Sequence, residues 1–264
     1  PKPADADWLD RVLEALPDQH PAIGAAVLVH PTYQGYATDP RPLIARLQQR
    51  GWPVLVDEAH GSHFAAALDQ GLPASAVQSG ADLVVHSLQK SASGLAQTAV
   101  LWLQGNRVDP EAIERSIGWL QTTSPSALLL ASCEASLNDW QTDQGRERLL
   151  KRLAEGRRLQ QDLLSDGLPL LSNQDPLRLV LHTGSAGISG LEADDWLMQR
   201  GLVAELPEPA TLTLCLGLVK QRRLRSQLKG LWRALRGAHP NREPQPPPEP
   251  PSLPLVQPPA LPLA

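Results

Sequence analysis

Apolar residues recur at helical spacing over 5–16 (DADWLDRVLEAL), where Trp8, Leu9, Val12, Leu13 and Leu16 share one face and Pro17 stops the pattern. A continuous apolar run from Ala25 to Val29 follows and ends in His30-Pro31-Thr32-Tyr33, which predicts a buried strand and then a loop. The amphipathic stretch 41–50, closed by Gly51, predicts a helix. Val54-Leu55-Val56, ending at Asp57, and Leu83-Val84-Val85, ending at His86-Ser87, predict two more short buried strands. Strands alternating with helical stretches predict an α/β fold with a mainly parallel sheet. Such sheets bind ligands at the carboxyl ends of their strands. That directs attention to Asp57 and to residues 86–90.

Further along, 109–120 reads as a helix. So does 127–137, with Ser124 as N-cap and Pro125 at the first helical position. Residues 144–165 predict a long, charged amphipathic helix. Beyond it come strands over Arg178–His182, Leu202–Leu206 and Leu212–Leu216, and a helix over 190–200 opened by Gly190. Residues 220–236 carry seven positive charges and no acid, yet Leu224, Leu228, Leu231 and Leu235 form one apolar stripe. That stripe predicts a packed helix whose basic face is solvated. The organisation read from this is an incomplete large α/β domain over 1–143, a linking helix and small α+β domain over 144–236, and an extended tail over 237–264. The tail holds 11 of the 26 prolines in its last 25 residues and reads as a spacer.

Composition narrows the function classes. With 42% hydrophobic and 20% charged residues the chain can bury a core, and wholesale disorder is excluded. Ten aromatics in 264 residues mean a core of Leu, Val and Ala. A net charge of −4 gives no global attraction to nucleic acid or anionic membrane. No apolar run nears the ~20 residues of a membrane span. Cys133 and Cys215 are expected to be buried small apolar residues, and so low a count suits a reducing, cytoplasmic setting. His20, His30, His60, His63 and His86 are not joined by a convincing ligand set, so no metal is expected. VLVDEAH also matches the acidic segment of a DEAH-type helicase. That chemistry needs an upstream G-x-x-x-x-G-K-[ST] loop, which is absent from this sequence.

The strongest chemical signal is VLVDEAHGSHF (54–64) followed by GADLVVHSLQK (80–90). A carboxylate and a lysine at neighbouring strand ends are what a pyridoxal phosphate enzyme requires: an amine to hold the aldehyde, and an acid to keep the pyridine nitrogen protonated. The runs DEAHGSHF, PASAVQSGADLVVHSLQKSASGLAQTAVLW and LQTTSPSALLLASCEAS resemble the major domain of the Orn/Lys/Arg decarboxylases. PTYQGY (31–36), DPLRLVL (175–181), GISGLEADDWLMQRGLVAEL (187–206) and the Pro-rich tail continue the resemblance.

The resemblance implies a pyridoxal phosphate-dependent fold of the aspartate-aminotransferase type (fold type I). It implies α-decarboxylation of arginine, lysine or ornithine to the amine and CO₂, within polyamine metabolism. Carried over, Lys90 is the Schiff-base lysine and Asp57 the partner of the pyridine nitrogen. Ala59 lies against the ring, His60 sits beside the cofactor, and Ser87 reaches its phosphate. Gln89 stands where the family usually has His; it donates a hydrogen bond but carries no charge. Thr123, Ser124 and Ser126 match a segment found near the partner's cofactor in a homodimer. Glu192, Asp195 and Glu205 are acidic candidates for the distal amine or guanidinium, with no spacing argument to separate them. The chain opens at Pro1, has one methionine (Met198), and lacks the family's upstream phosphate-cradling and ring-stacking segments, so a piece truncated at both ends is expected. A non-catalytic homologue serving dimerisation or regulation, and another pyridoxal phosphate reaction such as transamination, remain alternatives.

Overall fold

The structure, a computed structural model, describes residues 6–14, 23–67 and 71–246. The expected helix end at Leu16 and Pro17, His20, and the tail from 247 onward lie outside the described residues.

Two sheets organise the chain. The first half contributes α1 (Ala6–Glu14), β1 (Ala26–Val29), α2 (Arg41–Gln49), β2 (Val54–Asp57), α3 (Ser62–Ala66), β3 (Leu83–Ser87), α4 (Leu88–Ser91) and β4 (Ala99–Leu103). Its sheet has the order β1-β2-β3-β4, with β1, β2 and β3 parallel and β4 antiparallel at the edge. Three helices follow: α5 (Pro110–Leu120), α6 (Ala127–Gln141) and the long α7 (Asp143–Ser165). The second sheet is antiparallel, order β5-β6-β8-β7, from β5 (Leu170–Leu171), β6 (Arg178–Leu181), β7 (Leu206–Pro207) and β8 (Leu212–Cys215). It packs with α8 (Gly190–Met198) and α9 (Leu224–Ala238).

The local chemistry explains the boundaries. Asp109 caps α5 by accepting from Glu111 N–H, with Pro110 at the first helical position. Thr142 caps α7 in the same way through Gly145 N–H. Ser189 and Glu192 form a reciprocal capping box that opens α8. Gly51 sits at φ +81° and ends α2, where a Cβ would be strained.

Each sheet has its own core. In the first, Leu43, Ile44 and Leu47 of α2 meet Val54, Val56 and Val84. In the second, Leu149, Leu153 and Leu163 of α7 pack with Leu179, Leu212 and Leu214 and with α8 and α9. Burying each such side chain contributes about 1.5–3 kcal/mol. Gly156 lets α7 approach closely, since a Cβ there would lie 2.4 Å from the Pro176 carbonyl oxygen.

Several expectations need correction. The strand over Ala25–Val29 is not a buried one: Ala26 and Leu28 are partly buried against the first core, while Val27 and Val29 on the opposite face are exposed. The cap of α6 is Ser126, not Ser124, and makes no side-chain cap bond. The stretch Leu202–Leu206 is mostly loop; Gly201 (φ +76°) ends α8, and the ladder to β8 begins at Glu205 N–H to Thr213 O, 2.9 Å. The basic helix starts at Leu224 rather than 220, and Trp232 is buried alongside Leu224, Leu228 and Leu235 while Leu231 is half-buried. Cys133 and Cys215 are only partly buried. Residues 239–246 do not stand free: Gln245 N–H donates to Gly184 O (2.7 Å) and Arg242 pairs with Glu192 (2.8 Å).

Candidate active site

Side chains alternate along a strand, so Val54 and Val56 of β2 point into the core while Asp57, the last residue, is exposed. β3 is buried almost throughout. The register pairs Asp57 with Val85, so the carboxyl ends of the two strands share one edge, roughly 4.8 Å apart. The chain turns directly into α4 there, and Lys90 is its third residue. Asp57 and Lys90 thus stand at neighbouring strand ends.

Around Lys90 the two halves of the chain meet. Lys90 Nζ lies 2.8 Å from His60 Nε2, and Arg178 Nη2 of β6 lies 3.2 Å from His60 Nδ1. The Tyr33 ring covers the imidazole at 4.0 Å between centroids, tilted by 49°, and Lys90 Nζ is 6.0 Å above that phenol ring. Tyr33 O–H donates to Glu205 Oε1 at 2.5 Å. Burial, then the charges of Arg178 and Lys90, push the His60 pKa down to about 4, so the ring is neutral at neutral pH. The hydrogen bond to Glu205, with burial second, pushes the Tyr33 phenol up to about 12.

The other expected residues differ in what they offer. Asp57 Oδ1 accepts from Ala59 N–H (3.0 Å), while its second oxygen has no hydrogen-bond partner among the described residues. Ala59 is half-buried between Asp57 and His60. Ser87 is 8% exposed, its backbone carbonyl accepts from the Ser62 hydroxyl at 3.4 Å, and no hydrogen bond of its own hydroxyl is found among the described residues. Gln89 accepts the backbone N–H of Gln97 through Oε1, which leaves its amide N–H groups outward. An amine, a carboxylate oxygen and a hydroxyl therefore open at one edge, a set that fits a carbonyl-bearing protonated heterocycle with an anionic substituent.

Ser124 and Ser126 are not brought to this edge. They are exposed, the Ser124 hydroxyl lies 3.3 Å from that of Thr122, and neither serine contacts Lys90, Asp57 or His60. Trp119, Leu120, Leu128 and Leu130 are exposed beside them in sequence. Of the three acids, Glu205 alone joins the site, through Tyr33. Glu192 is spent on its capping box and on Arg242, which together hold its carboxyl down to about 2. Asp195 is exposed on α8.

Beneath the site lies a polar network that motif reading missed. Glu58 is fully buried and accepts from Ser75 O–H (2.7 Å) and Ala76 N–H (2.9 Å). His86 Nε2 lies 2.7 Å from the same carboxylate, and Trp102 Nε1–H donates to His86 Nδ1 at 2.9 Å. His86 therefore carries its proton on Nε2 and donates it to Glu58. His63 pairs with buried Asp175 at 3.1 Å, and His30 reaches the Ala74 carbonyl at 3.1 Å. Arg178 and Tyr33 were also missed as site residues. No sequence signal joined them; only the structure shows that Gly35 (φ +85°), in the loop after β1, makes room for Arg178 and Asp175, whose Cβ atoms would lie 2.9 Å from a Cβ there.

Comparison with known proteins gives the wider setting. Residues 2–174 match the family described as Orn/Lys/Arg decarboxylase, major domain. The arginine decarboxylase of Halalkalibacterium halodurans is 33% identical over 203 residues, 72% of this chain and 40% of that protein. The chain thus spans about two fifths of the length of the curated relatives it matches. Among solved structures, lysine decarboxylase A of Pseudomonas aeruginosa has a TM-score of 0.71 at 14% identity, covering 87% of this chain and 39% of that one. The serine palmitoyltransferase of Sphingomonas wittichii has a TM-score of 0.64 at 19% identity, covering 89% and 60%. These likenesses establish the α/β fold with its mainly parallel first sheet.

Proposed function

The chain belongs to the Orn/Lys/Arg decarboxylase family, and from that premise we propose that it carries the core of a pyridoxal phosphate site for α-decarboxylation of a basic amino acid. The observation that carries the proposal is the pairing of Asp57 and Lys90 at the ends of adjacent parallel strands, with His60 2.8 Å from the lysine amine. When bound, the cofactor supplies an electron sink for the pair left behind as CO₂ departs.

The protein's own groups do the rest. Lys90 offers the amine that holds the cofactor's aldehyde carbon. The free oxygen of Asp57 accepts the pyridinium N–H and keeps that nitrogen protonated. Ala59 offers a small apolar surface to the ring. The Ser87 hydroxyl and the Gln89 amide are donors for the phosphate. Glu205 brings negative charge from the second sheet, which favours a substrate with a distal cation. The named relatives are arginine decarboxylases, which supports arginine as the first substrate to test. The amine products fit polyamine metabolism in a cytoplasmic setting. Exposed Ser124 and Ser126, flanked by exposed Trp119, Leu120 and Leu128, support completion of the site by a second copy of the chain.

Pyridoxal phosphate titration, borohydride reduction and peptide mapping test this directly. The label is expected on Lys90 and is lost in Lys90→Ala. CO₂ release is then measured for arginine, lysine and ornithine, and equilibrium sedimentation reads the assembly state. Label elsewhere, or none in any chain extended to the relatives' full length, overturns the proposal in favour of a non-catalytic role. Amino-group transfer without CO₂ release assigns a transaminase instead.

A further inference from the structure

We infer that Arg178 is a positioning residue that fixes the tautomer of His60, so that the imidazole presents an N–H donor, on Nε2, to the amine of Lys90. The argument is one of hydrogen-bond capacity. A guanidinium has five N–H donors and no acceptor, and it does not lose its proton. Arg178 Nη2 lies 3.2 Å from His60 Nδ1, so Nδ1 must supply the lone pair. A neutral imidazole has one N–H, which is then on Nε2. Protonation of both nitrogens would set an N–H against the guanidinium, in keeping with the downward push that burial and Arg178 exert on this ring.

The consequence falls on Lys90. Its Nζ is 2.8 Å from Nε2. That contact is a hydrogen bond if the free amine accepts, and a donor–donor clash if the lysine is an ammonium. The free amine is the form with a lone pair for attack on a carbonyl. The second sheet therefore reaches across 118 residues of sequence to set which hydrogen-bonding role His60 offers the lysine amine.

The surroundings hold this geometry. Arg178 is 3% exposed, its Nη1 donates to Leu177 O at 3.2 Å, and Asp175 Oδ2 lies 3.9 Å away. Gly35 leaves the space its Cβ and Cγ occupy. The Tyr33 ring, anchored by Glu205, covers the imidazole and opposes a ring flip that would swap the two nitrogens. Glu205 and Asp57 are the acids that face His60, and their charges pull its pKa the other way.

The test needs no cofactor. Long-range ¹H–¹⁵N spectra of the ¹⁵N-labelled 264-residue chain at neutral pH, with His60→Asn for assignment, report which ring nitrogen carries the proton. The expected result is a protonated Nε2 and a bare Nδ1. A protonated Nδ1 overturns the inference. In Arg178→Met the Nε2–H preference is expected to be lost as the Lys90 ammonium becomes the better donor to Nε2; an unchanged spectrum from a folded variant overturns the role of Arg178. Should that variant not fold, a coupling across the hydrogen bond between Arg178 Nη2 and His60 Nδ1 in the unsubstituted chain decides, its presence supporting the role and its absence overturning it. The value of the device to chemistry rests on the function proposed above, and borohydride labelling of Lys90 on the same samples keeps the two failures distinct.

Discussion

Replacing Glu58 by alanine is expected to destabilise the fold by about 4 kcal/mol. The carboxylate is fully buried and serves three donors: Ser75 O–H at 2.7 Å, Ala76 N–H at 2.9 Å and His86 Nε2–H at 2.7 Å. His86 cannot turn its other nitrogen to the gap without losing Trp102, whose indole donates to Nδ1. Each buried donor left unpaired costs roughly 1–3 kcal/mol, and removing one member of a buried charged network typically costs about 3–5 kcal/mol in all. Domains are commonly stable by about 5–15 kcal/mol, so the loss is a large share. In urea unfolding followed by tryptophan fluorescence, with a slope of about 2 kcal/mol/M, the midpoint should fall by about 2 M. Glu58→Gln keeps one acceptor oxygen but turns an NH₂ toward a donor, so a smaller loss of about 1–2 kcal/mol is expected. A midpoint shift under about 0.5 M for Glu58→Ala, near 1 kcal/mol at that slope, refutes the reasoning, because the three donors would then have found other partners.

Gly35→Ala combines a left-handed φ of +85° with a Cβ 2.9 Å from Arg178 and Asp175; strain and overpacking of about 1–3 kcal/mol each predict a stability loss of about 2–6 kcal/mol by the same urea assay, and a neutral result refutes it. The His60 pKa is lowered from 6.5 to about 4, so below pH 6.5 the unfolded chain binds a proton that the folded one refuses, and stability is lost as pH falls from 6.5 toward 4. Unfolding midpoints across that window should slope less in His60→Asn, and an unchanged slope counts against the assignment. Tyr33 is raised from 10 to about 12, so its contribution is full below pH 10 and is lost as pH rises toward 12. Ultraviolet titration of Tyr33→Phe should lack a phenolate transition near pH 12, and loss of one near pH 10 instead contradicts the Glu205 hydrogen bond.

Asp57 was legible because it closes the apolar triplet VLV, and Lys90 because it follows the triplet LVV by five residues; a strand end is where a parallel sheet exposes side chains. Arg178, Tyr33 and Glu205 were not legible as a group. Tyr33 and Glu205 are 172 residues apart, and no local period encodes a contact made by docking one sheet against another. PTYQGY and DPLRLVL stood out as family-like segments, yet neither discloses that its Gly35 makes room for the other's Arg178. The antiparallel β4 was not anticipated although AVLWL is as long as β3; the two-residue β5 and β7 carry too few alternations to separate strand from loop, and of β7 only Leu206 fell within the expected strand. The Ser-Pro pair points to Ser124 as a cap, whereas the cap of the helix is Ser126, two residues later.

The neighbours Asp57 and Glu58 show how strand geometry divides labour between identical chemistry. Successive side chains of a strand point to opposite sides. Asp57 therefore emerges at the site edge with one oxygen free, while Glu58 turns inward and is consumed by Ser75, Ala76 and His86. The prediction is a clean separation. Asp57→Asn removes a charge at an exposed position whose one hydrogen bond runs to Ala59 N–H, a bond the amide oxygen can keep, so stability should change by no more than about 0.5 kcal/mol. Retention of pyridoxal phosphate should nonetheless weaken, because a neutral amide favours a protonated ring nitrogen far less than a carboxylate does. Glu58→Gln should do the reverse, costing stability first and cofactor retention only through the strand ends it steadies. If Asp57→Asn instead unfolds the chain while leaving cofactor binding untouched in the folded fraction, the carboxylate belongs to the scaffold and the site must be sought elsewhere.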